Sequence, residues 1–282
     1  MSIVSAALTA YNRFIVKDPD RFHSVNFEIS SECNRSCPYC PVSKNRRDVY
    51  ELNPYPIIDE LARGRFIGAV AWGFFNEPLL HADKLEAYLD YVSGKLPWCR
   101  QQIFTNGDLL TVPVLIRLLK RASVVISAHK QPPYNGNLLQ HPLMFHHPND
   151  LWYTICHKVP KKLQKRITVS LPLLGGLTSR GGLVASSTQK MTSCNPTAAI
   201  VTADGYLALC CNDYNYVKEP ALEVSKIGIF RAWYNSWARR HDVKRWVNLP
   251  VPCRSCTKNE IQMLPFAEYV KRGEAEWKRR HG

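Results

Sequence analysis

Short apolar runs that read as strands alternate with longer runs of helical period through the first two-thirds of the chain. No other feature restricts the fold as much. Residues 25–30, 69–75, 101–105, 124–128 and 168–174 are strand-like, while 54–65, 81–96 and 111–121 place apolar side chains at helical spacing. Strands separated by helices predict a parallel sheet with crossover helices, an α/β fold. The pattern suits a partial (β/α) barrel, whose chemistry sits at the C-terminal ends of the strands. Residues 130–165, rich in Pro, Asn and His, show no assignable period. The pattern changes near residue 190. Segments 198–202 and 206–209 flank Ala203-Asp204-Gly205 as a hairpin, and 229–247 predict one helix. Four regions are therefore expected: an extension over 1–24, the barrel over 25–190, a hairpin-plus-helix region over 191–260, and a basic helical tail over 261–282.

The first strand runs into Cys33, Cys37 and Cys40, spaced Cys-x₃-Cys-x₂-Cys. Three thiolates within eight residues suit one metal centre, and soft sulfur selects zinc, Cu(I) or an iron–sulfur cluster. Three is one short of a closed four-ligand site, so a cubane held there keeps one iron open. Zinc is the alternative, but the nearest other cysteine, Cys99, is far from any zinc-finger spacing. A second set comprises Cys194, Cys210, Cys253 and Cys256, which a hairpin and a turn can bring together as four thiolates for a cluster or a structural zinc. Cys211 is left over. If the chain is a strand at that point, alternation turns Cys210 and Cys211 to opposite faces. Seven of the ten cysteines fall in these groups and Cys211 adjoins one of them, which fits metal ligation in a reducing cytoplasm better than disulfides. No apolar run is long enough for a bilayer, and the first residues lack the layout of a secretory signal, so no membrane association is expected.

The net charge of +14 attracts polyanions and acidic proteins. Basic residues gather at 44–47, 158–166, 239–245 and 278–280. Solvated surface is the default reading, and a docking face for an acidic electron donor is the second. Nucleic-acid binding ranks below both, since no aromatic stripe is interleaved with the charges in the sequence.

The phrases FEISSECNRSCPYCP, GFFNEPLL, FTNGDLL and SRGGLV, with the later Cys pattern, resemble the radical S-adenosylmethionine (SAM) enzymes over residues 27–256. The resemblance is closest to the small dehydrogenases of aminocyclitol pathways and the related oxidases and epimerases. It implies a partial (β/α)₆, TIM-like barrel with a C-terminal twitch region, the short form of the SPASM domain. It implies two [4Fe–4S] clusters: Cys33, Cys37 and Cys40 hold the one that binds SAM, and Cys194, Cys210, Cys253 and Cys256 hold an auxiliary one. Tyr39, Asn76, Glu77, Pro78, Thr105, Asn106 and Gly107 match SAM-contacting positions. Ser127 and His129 match positions near the SAM ribose and substrate, and Arg180 matches an arginine that faces the substrate. Each has a plainer reading: Glu77 as a helix cap, Asn106-Gly107 as a turn, Arg180 as the partner of a surface carboxylate. Cys211 and Asn212 depart from the dehydrogenases, which hold an aromatic and a carboxylate there.

The implied activity is abstraction of hydrogen from a substrate carbon by a 5′-deoxyadenosyl radical, with dehydrogenation of a secondary alcohol of a cyclitol or sugar-like small molecule. The implied reductant is an acidic protein such as flavodoxin or ferredoxin. The rivals are an epimerase with Cys211 as hydrogen donor, a peptide-modifying maturase, and a non-enzymatic zinc-binding nucleic-acid module.

Overall fold

The computed structural model describes residues 21–37, 40–127, 151–172, 191–192, 194, 196–245, 247–256 and 261–281. Strands β1 (Ser24–Phe27), β2 (Ala69–Trp72), β3 (Arg100–Thr105), β4 (Ser123–Ser127), β5 (Ile167–Pro172), β6 (Ala198–Val201), β7 (Leu207–Ala208) and β8 (Ile261–Pro265) form one sheet. Their order is β7-β6-β1-β2-β3-β4-β5-β8. Pairing is parallel from β6 through β5 and antiparallel at the β7 and β8 edges. The α/β class and the parallel strands β1 to β5 agree with the alternation in the sequence.

The helices are α1 (Tyr55–Arg63), α2 (Ala82–Lys95), α3 (Val112–Leu119), α4 (Leu151–Lys158), α5 (Lys161–Gln164), α6 (Val224–Ile227), α7 (Ile229–Asn235), α8 (Trp237–Arg245), α9 (Val251–Arg254) and α10 (Phe266–His281). In α2, Leu85, Tyr88, Leu89 and Val92 are buried at the i, i+3, i+4, i+7 spacing of one face. Thr111 caps α3 by accepting from the Val114 amide, and Pro113 suits the first turn because its missing donor is not needed there. Helix residues and alternate strand residues, among them Val25, Phe27, Trp72, Ile103 and Val124, form one buried core. Tertiary burial of this kind fixes helices too short to persist alone.

Three elements differ from their sequence-based expectations. β6 is the first strand of the expected hairpin and is also the sixth parallel strand, paired with β1 from Ser24↔Ala198 to Phe27↔Val201. The segment 229–247 is two helices. Ser236 Oγ and Arg240 Nη2 both donate to the Trp233 carbonyl, at 2.7 and 2.9 Å, and so occupy the acceptor an unbroken helix would give to residue 237. The tail opens with β8, which pairs with β5 before α10 begins. No helix among the described residues is long and apolar enough to cross a membrane.

Candidate cofactor site

The described residues of the first cysteine set and of the SAM-matching motifs lie at or past the C-terminal ends of the parallel strands. Cys33, Cys37 and Cys40 follow β1, Asn76-Glu77-Pro78 follow β2, and Thr105 ends β3 with Asn106-Gly107 next. Glu77 is 1% exposed. Its Oε1 accepts from the Leu79 amide at 3.1 Å and from Thr105 Oγ1 at 2.8 Å, and its Oε2 accepts from the Asn106 amide at 2.7 Å. The contact with Leu79 caps the 3₁₀ turn Pro78–His81, so the plainer reading of Glu77 is realised as well. Burial raises the Glu77 pKa, and these three donors counter it. Gly107 sits at φ 83°, the turn geometry that glycine favours, and its amide bonds Thr105 Oγ1 at 3.0 Å.

The cysteine loop is clamped onto this frame. Arg35, between Cys33 and Cys37, donates through Nε to Asp108 Oδ2 at 2.6 Å, through Nη2 to Asp108 Oδ1, and to the Asn106 carbonyl at 3.1 Å. Asn106 Nδ2 donates to Asn34 Oδ1 at 2.8 Å. The Glu77 amide donates to the Glu32 carbonyl at 2.9 Å. The Cys33 thiol accepts from the Arg35 amide at 3.5 Å, while burial pushes its pKa up and the charges of Glu77 and Cys37 add to that. Asn76 Oδ1 accepts from the Phe74 amide at 2.8 Å, but its Nδ2 is buried with no hydrogen-bond partner. An unused buried donor next to Glu77 in the chain fits a ligand that brings an acceptor, such as the carboxylate of an amino acid. Ser127 is half-buried at the C-terminal end of β4, in register with Ser170.

A second network braces the loop from the β6 side. Glu28, fully buried after β1, pairs with Arg47 Nη2 and accepts from the Ala203 amide at 3.0 Å. Burial raises the Glu28 pKa, and Arg47 opposes it. The Arg47 guanidinium lies 4.6 Å from the Tyr214 ring centroid, and its Nη1 donates to the Tyr216 hydroxyl at 3.3 Å. Tyr216 donates in turn to Asp204. Tyr214 packs with Val42, Phe75 and Cys40, and its hydroxyl donates to the Asn45 carbonyl at 2.5 Å.

Tyr214 lies shortly after Cys210-Cys211, so this network joins the two cysteine sets. Cys253 is buried with Leu209 and Val243, and Cys194 packs against them. Burial, then the charges of Cys194 and Cys256, push the Cys253 thiol up to about 12. Burial and the charge of Cys211 raise Cys210 strongly, and Cys253 adds to that. Asn212 Nδ2 donates to Cys256 Sγ at 3.4 Å. Cys253 thus has Cys194, Cys210 and Cys256 as neighbours, and burial together with their mutual repulsion disfavours the thiolate forms that a bound cation would favour. Cys211 is exposed. The expected strand alternation does not apply to the Cys210–Cys211 pair, because β7 ends at Ala208 and Cys210 opens a turn closed by the Asp213 amide at 3.1 Å. Among the described residues no three Cys, His, Asp or Glu side chains close around a single ion.

Tyr39, His129 and Arg180 lie outside the described residues. Arg35, Asp108, Glu28, Arg47, Tyr214 and Tyr216 were not singled out from the sequence. Glu28 alone carried a local signal, as a carboxylate inside a strand-like run.

The sequence profile of the radical SAM superfamily matches residues 27–179. A segment of 94 residues, 32% of this chain, is 34% identical to the S-adenosyl-L-methionine-dependent 2-deoxy-scyllo-inosamine dehydrogenase of Niallia circulans, and it spans only 37% of that enzyme. The fold is similar to that of BtrN in complex with AdoMet and 2-DOIA, with a TM-score of 0.67 at 23% identity over 84% of this chain and 93% of that one. It is also similar to the precursor-peptide complex of SuiB from Streptococcus suis, with a TM-score of 0.52 at 12% identity over 89% and 73% of the two chains.

Proposed function

The chain belongs to the radical SAM superfamily, and from that premise we propose that it is an oxidoreductase that dehydrogenates a secondary alcohol of a cyclitol or sugar-like small molecule. When bound, a [4Fe–4S] cluster with SAM supplies a 5′-deoxyadenosyl radical. Cys33, Cys37 and Cys40 would hold that cluster. Cys194, Cys210, Cys253 and Cys256 would hold an auxiliary one. The observation that supports this reading best is the clamp of Arg35 on Asp108 and Asn106, which seats the cysteine loop against the Glu77 and Asn106 strand ends. The rest of the chain's contribution is to position. Glu77 fixes the β2 and β3 ends relative to each other. Asn76 Nδ2 would offer a donor to the carboxylate of bound SAM, and Ser127, His129 and Arg180 would line the substrate side. Arrangement of this kind supplies a large part of a catalytic advantage.

The test is anaerobic reconstitution of the protein and of a Cys33→Ala/Cys37→Ala/Cys40→Ala variant. The variant is expected to retain about half of the iron, if the two clusters are alike in ligation, and to make no 5′-deoxyadenosine with dithionite. Continued 5′-deoxyadenosine formation by the variant would overturn the assignment. For the reaction itself, product formed in deuterium oxide is diagnostic. A carbonyl supports dehydrogenation, and deuterium on an inverted carbon identifies an epimerase.

A further inference from the structure

We propose that the outward stripe of α8, with Tyr234 beside it, is the docking face for an acidic one-electron carrier protein of the flavodoxin type. This deepens the reading above and rests on the auxiliary thiols holding a redox cluster. Trp237, His241, Lys244 and Arg245 fall at i, i+4, i+7 and i+8, one face of a helix. Trp237 is 44% exposed and Tyr234 is 77% exposed. The rings of Trp237 and His241 stack with centroids 4.6 Å apart. Lys244 and Arg245 are exposed. Basic residues in the last turn of a helix are explained by its dipole. Two exposed aromatic rings beside them are not, and aromatic rings with cations are what interfaces concentrate.

The location selects the partner. Val243 of the same helix is 1% exposed and packs on Cys253. A protein seated on the outer stripe therefore lies about one helix thickness, ~10 Å, from the auxiliary thiols. The proposed reaction needs such a visitor. One electron enters to cleave SAM to methionine and the radical. The radical takes one hydrogen atom from the substrate carbon, and the carbonyl forms as a proton and one electron leave. A single one-electron carrier can deliver the first electron and remove the second. Its acidic surface would match the exposed cations Lys244 and Arg245 at the end of the stripe.

The experiment measures binding of a flavodoxin to the reconstituted holoprotein by calorimetry, at about 50 and about 500 mM salt, where screening differs strongly. The Lys244→Glu/Arg245→Glu variant is expected to lose affinity by roughly tenfold or more, and the parent to lose most of its affinity at high salt. A control reversal at Lys162 and Lys165, Lys162→Glu/Lys165→Glu, should stay within about twofold, and dithionite-driven SAM cleavage should be unchanged in both. Equal binding by parent and double variant would overturn the proposal, as would a loss confined to the control. Binding of a single-stranded RNA oligonucleotide that the double variant loses while flavodoxin binding is intact would assign the stripe to nucleic acid instead. Iron analysis of the same samples keeps the premise separate. A missing auxiliary cluster refutes the redox reading, whereas unchanged flavodoxin affinity refutes the docking face alone.

Discussion

Glu28 and Glu77 are buried carboxylates at the ends of adjacent strands, and burial raises the proton affinity of both. A carboxyl whose folded pKa lies above its unfolded value binds protons more tightly in the folded state. Its contribution to stability is therefore present at acid pH and is lost as pH rises through the folded pKa. Glu28→Gln and Glu77→Gln should each flatten the loss of stability with rising pH above the ordinary glutamate value of 4.5, measured by urea unfolding across pH. A variant as steep as the parent would contradict the linkage. Arg47→Met acts the other way. It leaves Glu28 buried without its cation and should cost about 3–5 kcal/mol at neutral pH, with part of the loss recovered on acidification. The sequence showed Glu77 through its neighbours Asn76 and Pro78. It did not show that the carboxylate would bond Thr105 and Asn106, because those partners arrive only when β2 and β3 pair. Arg35 and Asp108 were invisible for the same reason: 73 residues separate them.

At the scale of elements, the strands and helices from β1 to α3 were legible because each is a short run of one period bounded by polar or turn residues. Ser236 was not, since apolar spacing continues across it and only the bonds made to the Trp233 carbonyl break the helix. β8 was not legible either. Its five residues sit beside a charged helix, and a strand at a sheet edge is defined by the neighbour it pairs with rather than by its own pattern. Leu264, Phe266 and Tyr269 are nonetheless buried in the main core. The C-terminal segment should thus behave as part of the fold. Phe266→Ala is expected to cost about 3–5 kcal/mol, the range for deleting a buried aromatic ring. Denaturant titration checks this as a shift in midpoint at constant slope. A change within experimental error would show that β8 and α10 do not belong to the cooperative unit.

At the scale of the whole molecule, the two cysteine sets are far apart in sequence yet share one structural bridge. Tyr214 follows Cys210 closely and packs edge-on against Phe75 with ring centroids 4.9 Å apart, beside Cys40. Its hydroxyl holds the Asn45 carbonyl of the cysteine loop, and Arg47 lies over its ring. The hairpin region thus forms a wall of the expected SAM-cluster site as well as holding its own thiols. Removing the ring should loosen the Cys33–Cys40 loop and leave the second set alone. Tyr214→Ala, reconstituted anaerobically, is therefore expected to release iron to a chelator several-fold faster than the parent, with the loss confined to the SAM-binding cluster in the electron paramagnetic resonance spectrum. Tyr214→Phe keeps the packing and gives up one hydrogen bond, worth about 0.5–1.5 kcal/mol, so its release rate should stay near the parent's. Faster release in both variants would place the effect in the hydroxyl rather than the packing. Release from the auxiliary set in Tyr214→Ala would mean that the bridge supports the opposite side from the one its contacts indicate.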